Sequence, residues 1–484
     1  MLQGCGSDVG KSTLVAGLCR LFTGLGLRVR PLKPQNMSNN AAVTADGGEI
    51  GRAQALQALA CRVPASVHMN PVLLKPQSET GVQLVVRGQM QGSWSAAAYQ
   101  ERKAKLLDIC LESFNLLAAE CDLMLIEGAG SPAEINLRRG DIANMGFARA
   151  ADVPVVITGD IDRGHVIAAL VGAHCVLAPA DRAVIRGFLV NKFRGDPALF
   201  AAGRAEITRR TDWRDLGLVP YLAAARRLPA EDALALDATL LPKPGARLKI
   251  IVPRLAHIAN FDDFDPLQHE PSVDFSFIAP GQAFPGDAAL IILPGSKSTL
   301  ADLAMLRREG WDIDLAAHAR RGGHVLGLCG GYQMLGRRVS DVQGVEGPPG
   351  EAPGLGLLDV ETVLTENKIL TQAQGSLLPG GEAFSGYEIH VGRTSGLDTA
   401  RPFASTQAGS QGAVSPDGRI AGCYIHGLFA QGSARAALLG QLGARSSGQD
   451  HSAVVEAALD EIAAVLAQHL DIAGLMDIAG VSTA

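Results

Sequence analysis

The chain has 484 residues, 47% hydrophobic and 19% charged, with a formal net charge of -6 at pH 7 and no long block of Lys or Arg. Those figures describe a soluble protein of two or three domains and argue against a nucleic-acid partner. Eight cysteines are scattered without a C-x-x-C pair, no secretory signal precedes the first loop, and no apolar run reaches bilayer-spanning length. The expectation is a cytoplasmic enzyme with reduced thiols, no membrane segment and no disulfide or zinc framework.

The chain opens on a glycine-rich loop. Gly4, Gly10, Lys11, Ser12 and Thr13 make a G-x5-G-K-S-T pattern, followed by a helix-forming run from Leu14 to Leu25. The usual spacing is one residue shorter, but the physics of a phosphate cradle survives. Backbone N–H groups and a helix N-terminus face the phosphates, Lys11 reaches the terminal ones, and the Ser12 hydroxyl can ligate Mg²⁺. Only Met1 to Gln3 remain for the strand that should lead into this loop, so it is either very short or truncated. Arg28 onward reads as a second strand ending at Lys33, which either bridges phosphate and carboxylate or is simply solvated. Asp46 comes before an alanine-rich helix, as its cap or as a carboxylate on the Mg²⁺ side; the second reading is carried forward.

Residues 123–126 are a four-residue apolar run bounded by turn residues, the mark of a buried parallel strand. Glu127 falls at its carboxyl end, where ligands bind in open α/β sheets, and is read as a metal-side carboxylate rather than a helix cap. Further strands at 153–158 and 187–193 alternate with helical stretches, which implies a mainly parallel sheet with right-handed crossovers. Asn191 and Lys192 end the later strand, either near a nucleotide base or in a plain turn.

Residues 241–247 carry two prolines and read as a linker, since proline keeps the chain extended. A fresh strand from Leu248 starts a second α/β unit, and another buried strand runs into a glycine turn at Gly295. The stretch from His324 to Gly336 reads as a strand, a sharp turn bearing Cys329, then a helix. Gly327, Gly330 and Gly331 remove side chains that would crowd such a turn. This is the strand–nucleophile–helix elbow, with the sulfur exposed near a helix start that favours the thiolate. The alternative is a small buried cysteine. Residues 342–356, rich in Gly and Pro, read as a surface loop.

Cys329 needs a base. His426, at the end of another strand, is preferred over His390; a histidine within hydrogen-bond reach keeps a cysteine ionised and later protonates the leaving group. The N–H groups of Gly295 and Gly330 are suited to an oxyanion hole. Cys423 reads as structural, and Val455, Leu459, Ile462 and Leu466 fall at the spacing of a packing helix over about 452–470.

With both sites assembled, the chain resembles the cobyric acid synthase family, the glutamine-dependent amidotransferases of cobalamin biosynthesis, over essentially its full length. The resemblance rests on the runs starting at Lys33 (KPQNMSNN), Asp46 (DGGEIGRAQ), Gly159 (GDIDRG) and Gly386 (GYEIH), with Glu127 to Gly130 and the long P-loop of dethiobiotin-synthetase-like proteins. It implies an α/β fold of two doubly wound, mainly parallel-sheet domains, a P-loop NTPase-like domain followed by a class I glutamine amidotransferase domain. The expected boundaries are 1–240, a linker at 241–247, 248–435 and a helical tail at 436–484. Class I amidotransferases in general carry a glutamate two residues after the histidine. Here Leu428 stands in that place, as in the cobyric-acid and cobyrinate subgroup, and no residue in the sequence announces itself as the group that orients His426. The P-loop also has Cys5 and Gly6 where that group often has small polar residues.

The resemblance further implies ATP and Mg²⁺, held by the P-loop with Lys33, Asp46 and Glu127. It implies glutamine as nitrogen donor through Cys329 and His426, and a small corrinoid acid as acceptor. That acid is adenosylcobyrinic acid a,c-diamide, amidated at its b, d, e and g carboxylates. Asn36, Asn39, Arg138, Asp141 and Asn144 are expected to line its pocket, on resemblance and polarity. Three other readings stand beside this one. They are a partitioning-type P-loop ATPase, a related ligase acting on another acid such as cobyrinic acid or a cell-wall precursor, and an inert scaffold. The sequence sets no oligomeric state.

Overall fold

The computed structural model describes residues 1–76, 81–231, 243 and 245–481, and for residues 93, 95–98, 100–102 and 104 the backbone alone. The chain forms two compact units: Met1–Ser38 with Thr44–Pro229 and Val455–Ala484, and Asn39–Val43 with Ala230–Val454. This division differs from the expected one at both ends. The run Asn39–Val43 belongs with the second unit. The tail expected from residue 436 is shared: the helix Gly432–Gln441 lies in the second unit, and from Val455 the chain packs in the first. The expected linker falls partly outside the described residues, at 241, 242 and 244.

The first unit is built on a parallel sheet of Leu2–Gly4, Val155–Asp160, Ile185–Phe193 and Arg214–Pro220, in that spatial order. The parallel pair Val29–Leu32 and Leu123–Ile126 continues it through a bridge between Leu2 and Glu127. The leading strand is thus present and three residues long, and the Met1 amino group donates to Pro154 O at 2.8 Å. All six residues of Val155–Asp160 are buried, as a strand covered on both faces must be. An additional sheet that the sequence reading did not anticipate joins Gln35–Met37, Val72–Pro76, Gly81–Val86 and Gln89–Ser95.

The helix that follows the P-loop, Lys11–Gly24, buries Leu14, Leu18 and Phe22 in one core with Val455, Leu459, Ile462 and Leu466 of the helix His451–His469. The packing helix expected from those four positions is therefore present, and its partner is the P-loop helix. Gly17 sits at the contact: a Cβ there would meet Ile462 Cγ2 at 2.5 Å and Leu466 Cδ1 at 2.6 Å. A buried Arg20 pairs with Glu456 across the same contact.

In the second unit, Val273–Ile278, Leu248–Pro253, Leu290–Leu293, His324–Leu328 and Ile420–Cys423 form a parallel sheet, closed by the antiparallel strand Ala413–Val414. Beside it lies a mixed, mainly antiparallel sheet dominated by the long hairpin Glu361–Leu377 and Ala383–Ser395, with Arg338–Asp341 pairing parallel to the first of those strands. That sheet takes Gly350–Pro353 as a strand against Arg338–Asp341, so the surface loop expected over 342–356 is shorter than proposed. No described helix in either unit is long and apolar enough to cross a membrane.

Candidate functional site

In the first unit the P-loop lies between the strand Leu2–Gly4 and the helix Lys11–Gly24. Gly10 has φ +90, a left-handed backbone that glycine adopts without strain. A side chain on Gly4 would collide with Val9 at 2.4 Å and crowd Lys11 at 3.2 Å. Lys11 Nζ donates to Gly6 O at 3.0 Å and Gly130 O at 3.2 Å, and Thr13 occupies the first turn of the helix. Asn191 donates to Val9 O at 2.8 Å and Lys192 to Asp8 O, so this pair braces the loop.

Glu127 is the hub of this site. Its Oε1 accepts from Ser12 Oγ at 2.7 Å and Lys33 Nζ at 2.9 Å, and its Oε2 from Gln57 Nε2 at 2.6 Å. Glu127 is 1% exposed and Lys33 5%, so the pair is desolvated; removing one partner of such a pair costs about 3–5 kcal/mol. A hydroxyl and a carboxylate oxygen in contact beside a phosphate cradle form a hard-oxygen donor set of the kind Mg²⁺ takes, completed by substrate phosphates and water. Gln57 was not singled out in the sequence, where it is one amide in an alanine-rich helix.

The remaining first-half candidates divide. Asp46, expected on the metal side, accepts from Ser66 Oγ at 2.8 Å and from the Val67 N–H, and so caps the short turn Val67–Met69. It also is not the cap of the alanine-rich helix Arg52–Ala60, where Gly51 holds that position. Arg138 makes a bidentate pair with Asp181 at 2.7 and 2.9 Å. Asp141 accepts from the N–H groups of Ala143, Asn144 and Gly146 and caps the helix Met145–Ala150. Both polar side chains are thus engaged in local structure. Asn36 pairs with Gln54 at 2.9 Å, and Asn144 donates to Ala129 O beside Glu127. Asn39 lies in the second unit.

In the second unit Cys329 stands between the strand His324–Leu328 and the helix Gly330–Leu335. Its φ of 52 is strained for a residue with a Cβ, a cost of about 1–3 kcal/mol that clusters at functional turns. A Cβ on Gly331 would lie 2.1 Å from Leu293 O, so that glycine is what lets the helix leave the sheet so closely. The turn is pinned by Cys329 N–H to Cys423 O at 2.9 Å. Cys423 itself is buried, which pushes its thiol up to about 12 and fits the structural role expected for it.

His426 lies in a two-residue strand, Ile425–His426, paired antiparallel with Tyr387 and Glu388. Its Nδ1 is 2.6 Å from Asp263 Oδ2, and Asp263 Oδ1 accepts the Gly427 N–H at 2.7 Å. Both side chains are buried, at 1% and 4% exposure. Burial alone would lower the imidazole pKa, but the Asp263 carboxylate outweighs it, with a smaller push from Cys329, and it rises to about 10. Asp263 is the orienting group that the sequence left unnamed. It stands 163 positions before His426 in the turn Phe261–Phe264, among two adjacent aspartates that no spacing rule links to a distant histidine. His426 and Cys329 border the same spot: a Cβ on Gly295 would lie 3.6 Å from His426 Cε1 and 3.7 Å from Cys329 Cβ. The Cys329 thiol points to Ile389 O at 3.6 Å, and His426 Nε2 is buried without a hydrogen-bond partner of ordinary geometry among the described residues.

The two oxyanion candidates differ. Gly330 is the first residue of its helix, where N–H groups have no intrahelical acceptor. Gly295 pairs antiparallel with Ala259, and Lys297 N–H to His257 O at 2.9 Å sets the phase of that ladder. In that phase Gly295 and Ala259 are a hydrogen-bonded pair, so here the Gly295 N–H faces Ala259 O rather than the Cys329 side. His390 stacks on Tyr424 with ring centroids 3.7 Å apart and lies 3.4 Å from Glu388, apart from the Asp263–His426 pair.

Two family models divide the sequence in the same order. The CobQ/CobB/MinD/ParA nucleotide binding domain matches residues 1–235, and the CobB/CobQ-like glutamine amidotransferase domain matches residues 249–434. A cobyric acid synthase from Caulobacter sp. (strain K31) is 67% identical, covering 99% of both chains. Those from Azorhizobium caulinodans and Methylorubrum populi are 62% and 61% identical, covering 99% and 98% of both chains. The chain belongs to the cobyric acid synthase family. It is a glutamine-dependent ligase with a nucleotide-binding domain, and the partitioning-type ATPase reading is not favoured.

Proposed function

We propose that this chain converts adenosylcobyrinic acid a,c-diamide to adenosylcobyric acid, by ATP- and glutamine-dependent amidation of the b, d, e and g carboxylates. The observation that carries the nitrogen-donor half is the buried contact of His426 with Asp263 beside the strained Cys329. Cys329 attacks the glutamine side-chain amide carbon as a thiolate, its proton already held on the His426 imidazolium that Asp263 stabilises. The carbonyl oxygen gains charge as the tetrahedral adduct forms, and the Gly330 N–H offsets it. Such a donor is worth about 10²–10³ in rate. The imidazolium then protonates departing ammonia, leaving a glutamyl thioester. Water, deprotonated by His426, hydrolyses that thioester to glutamate.

In the first unit, Gly4, Gly10, Lys11, Ser12 and Thr13 cradle the ATP phosphates, and Lys11 offsets charge on the transferring γ-phosphoryl group. Ser12 and Glu127 would hold Mg²⁺, which supplies charge neutralisation on the phosphates. Lys33 and Gln57 keep the Glu127 carboxylate in one orientation. A substrate carboxylate attacks the γ-phosphorus, ADP leaves, and ammonia displaces phosphate from the acyl phosphate to give the amide. Asn36 and Asn144 remain the candidates on the corrinoid side.

The test is mass spectrometry on adenosylcobyrinic acid a,c-diamide with ATP and glutamine, and in parallel with ammonium replacing glutamine. Four successive losses of about one mass unit, hydroxyl to amide, are expected from both nitrogen sources. An unchanged acid under conditions where glutamine is hydrolysed would overturn the substrate assignment and leave the glutaminase half standing.

A further inference from the structure

The run that carries Lys33 continues into Asn39–Val43, and this short segment packs in the second unit rather than the first. There it touches both elements that hold His426. Asn40 Oδ1 accepts the Phe261 N–H at 3.2 Å, at the first residue of the turn that bears Asp263, and Asn40 Nδ2 donates to Ala230 O at 3.0 Å. The Ala41 N–H donates to Asn260 Oδ1 at 3.3 Å, and Asn260 O accepts the Asp263 N–H at 3.1 Å. On the other side, the Tyr387 hydroxyl donates to Ala41 O at 3.4 Å while its ring stacks on His426, centroids 5.3 Å apart and planes 19° apart. Gln372 Nε2 fixes the end of the segment through Val43 O at 3.2 Å.

We infer that Asn39–Val43 is a strap that sets the position of the glutaminase histidine, with Asn40 and Tyr387 as positioning residues for Asp263 and His426. Asn40 is 0% exposed and Asn260 3%, so these amides are spent inside the fold. Asn260 has φ 52, and the turn it starts ends in a carboxylate only 2.6 Å from Nδ1. A small shift of that turn therefore moves the orienting oxygen directly, and misplacing a catalytic group by about 1 Å can cost as much as 10²-fold in rate. The opposite face of the imidazole is fixed by Tyr387, whose hydroxyl is tied to the same segment. One strap thus holds the ring from its carboxylate side and from its stacking side.

The inference rests on the proposed roles of Cys329 and His426, and its test separates the two. Glutamine hydrolysis is measured as kcat, KM and pH profile in full-length Asn40→Ala, Asn40→Asp and Tyr387→Phe, with ammonium-driven amidation as the control for the first unit. Asn40→Ala is expected to lower kcat for glutamine roughly tenfold to 10²-fold with KM little changed and the pH profile displaced. Asn40→Asp, which keeps the acceptor for Phe261, is expected to recover most of that loss. Tyr387→Phe keeps the ring and loses the hydroxyl, and is expected to lower kcat several-fold. Ammonium-driven amidation should stay at the wild-type rate in all three. An unchanged glutamine kcat in any folded Ala or Phe variant, an equal fall in both activities, or no recovery in Asn40→Asp would overturn the strap. Wild-type protein that hydrolyses no glutamine would instead overturn the roles of Cys329 and His426.

Discussion

The two centres of this molecule are built in opposite ways. The phosphate cradle of the nucleotide centre is local: Gly4 to Thr13 supply it, while Glu127, Lys33 and Gln57 reach Ser12 from separate elements. The glutaminase centre is dispersed. Cys329, His426, Asp263 and Gly295 come from four separate turns or strand ends, and a fifth segment at Asn40 braces them. A cradle for phosphate needs mainly backbone N–H groups and one helix end, which a short run of sequence can provide. A nucleophile with its base needs side chains aimed at one point, and strand ends of a sheet deliver those from distant positions. A cradle depends first on its own loop, whereas a nucleophile and base depend on every distant segment that sets their geometry.

Lys11→Ala removes the lysine of the P-loop and should abolish amidation with glutamine and with ammonium alike; retained ammonium-driven synthesis would break the assignment of the P-loop. Asp263→Asn keeps the shape at His426 but removes the charge. Glutamine hydrolysis should fall on the order of 10²-fold or more, with ammonium-driven amidation unaffected in a steady-state assay of both. Gln57→Leu leaves Glu127 Oε2 without its buried donor, and the KM for MgATP should rise about tenfold, as losses of supporting contacts around metal ligands commonly do.

Stability gives smaller, independent signals. Gly17→Val forces a branched side chain against Ile462 and Leu466 and should cost about 1–3 kcal/mol by denaturant titration, since this contact leaves no room for a Cβ. The His426–Asp263 pair has a definite sign. The imidazole pKa rises from 6.5 to about 10 on folding, so the pair's stabilisation is complete below pH 6.5 and fades as pH rises through about 10. The difference in melting temperature between wild type and Asp263→Asn should therefore be level in mild acid and shrink toward pH 10.

How much of this was legible follows the same divide. The P-loop, the strand ending at Glu127 and the Cys329 elbow each lie within a dozen residues, and local spacing alone revealed them. His426 required the assumption that a strand-end histidine would meet the cysteine. Asp263 was invisible, because its partner is set by tertiary closure and the usual glutamate position holds Leu428, which is buried. Polarity misled where local structure had first claim: Asp46 and Asp141 cap turns and helices, and Arg138 pairs with Asp181. The strand from Gln35 to Met37 and the long hairpin Glu361–Leu377 with Ala383–Ser395 also escaped the reading, their mixed polar and apolar residues giving no clean period.

The most direct test of the separation between the two centres is Cys329→Ala, assayed for corrinoid amidation with glutamine and with ammonium side by side. No product is expected from glutamine, and a wild-type rate from ammonium. Loss of both, in a protein that still binds ATP, would contradict the division of labour on which this account stands.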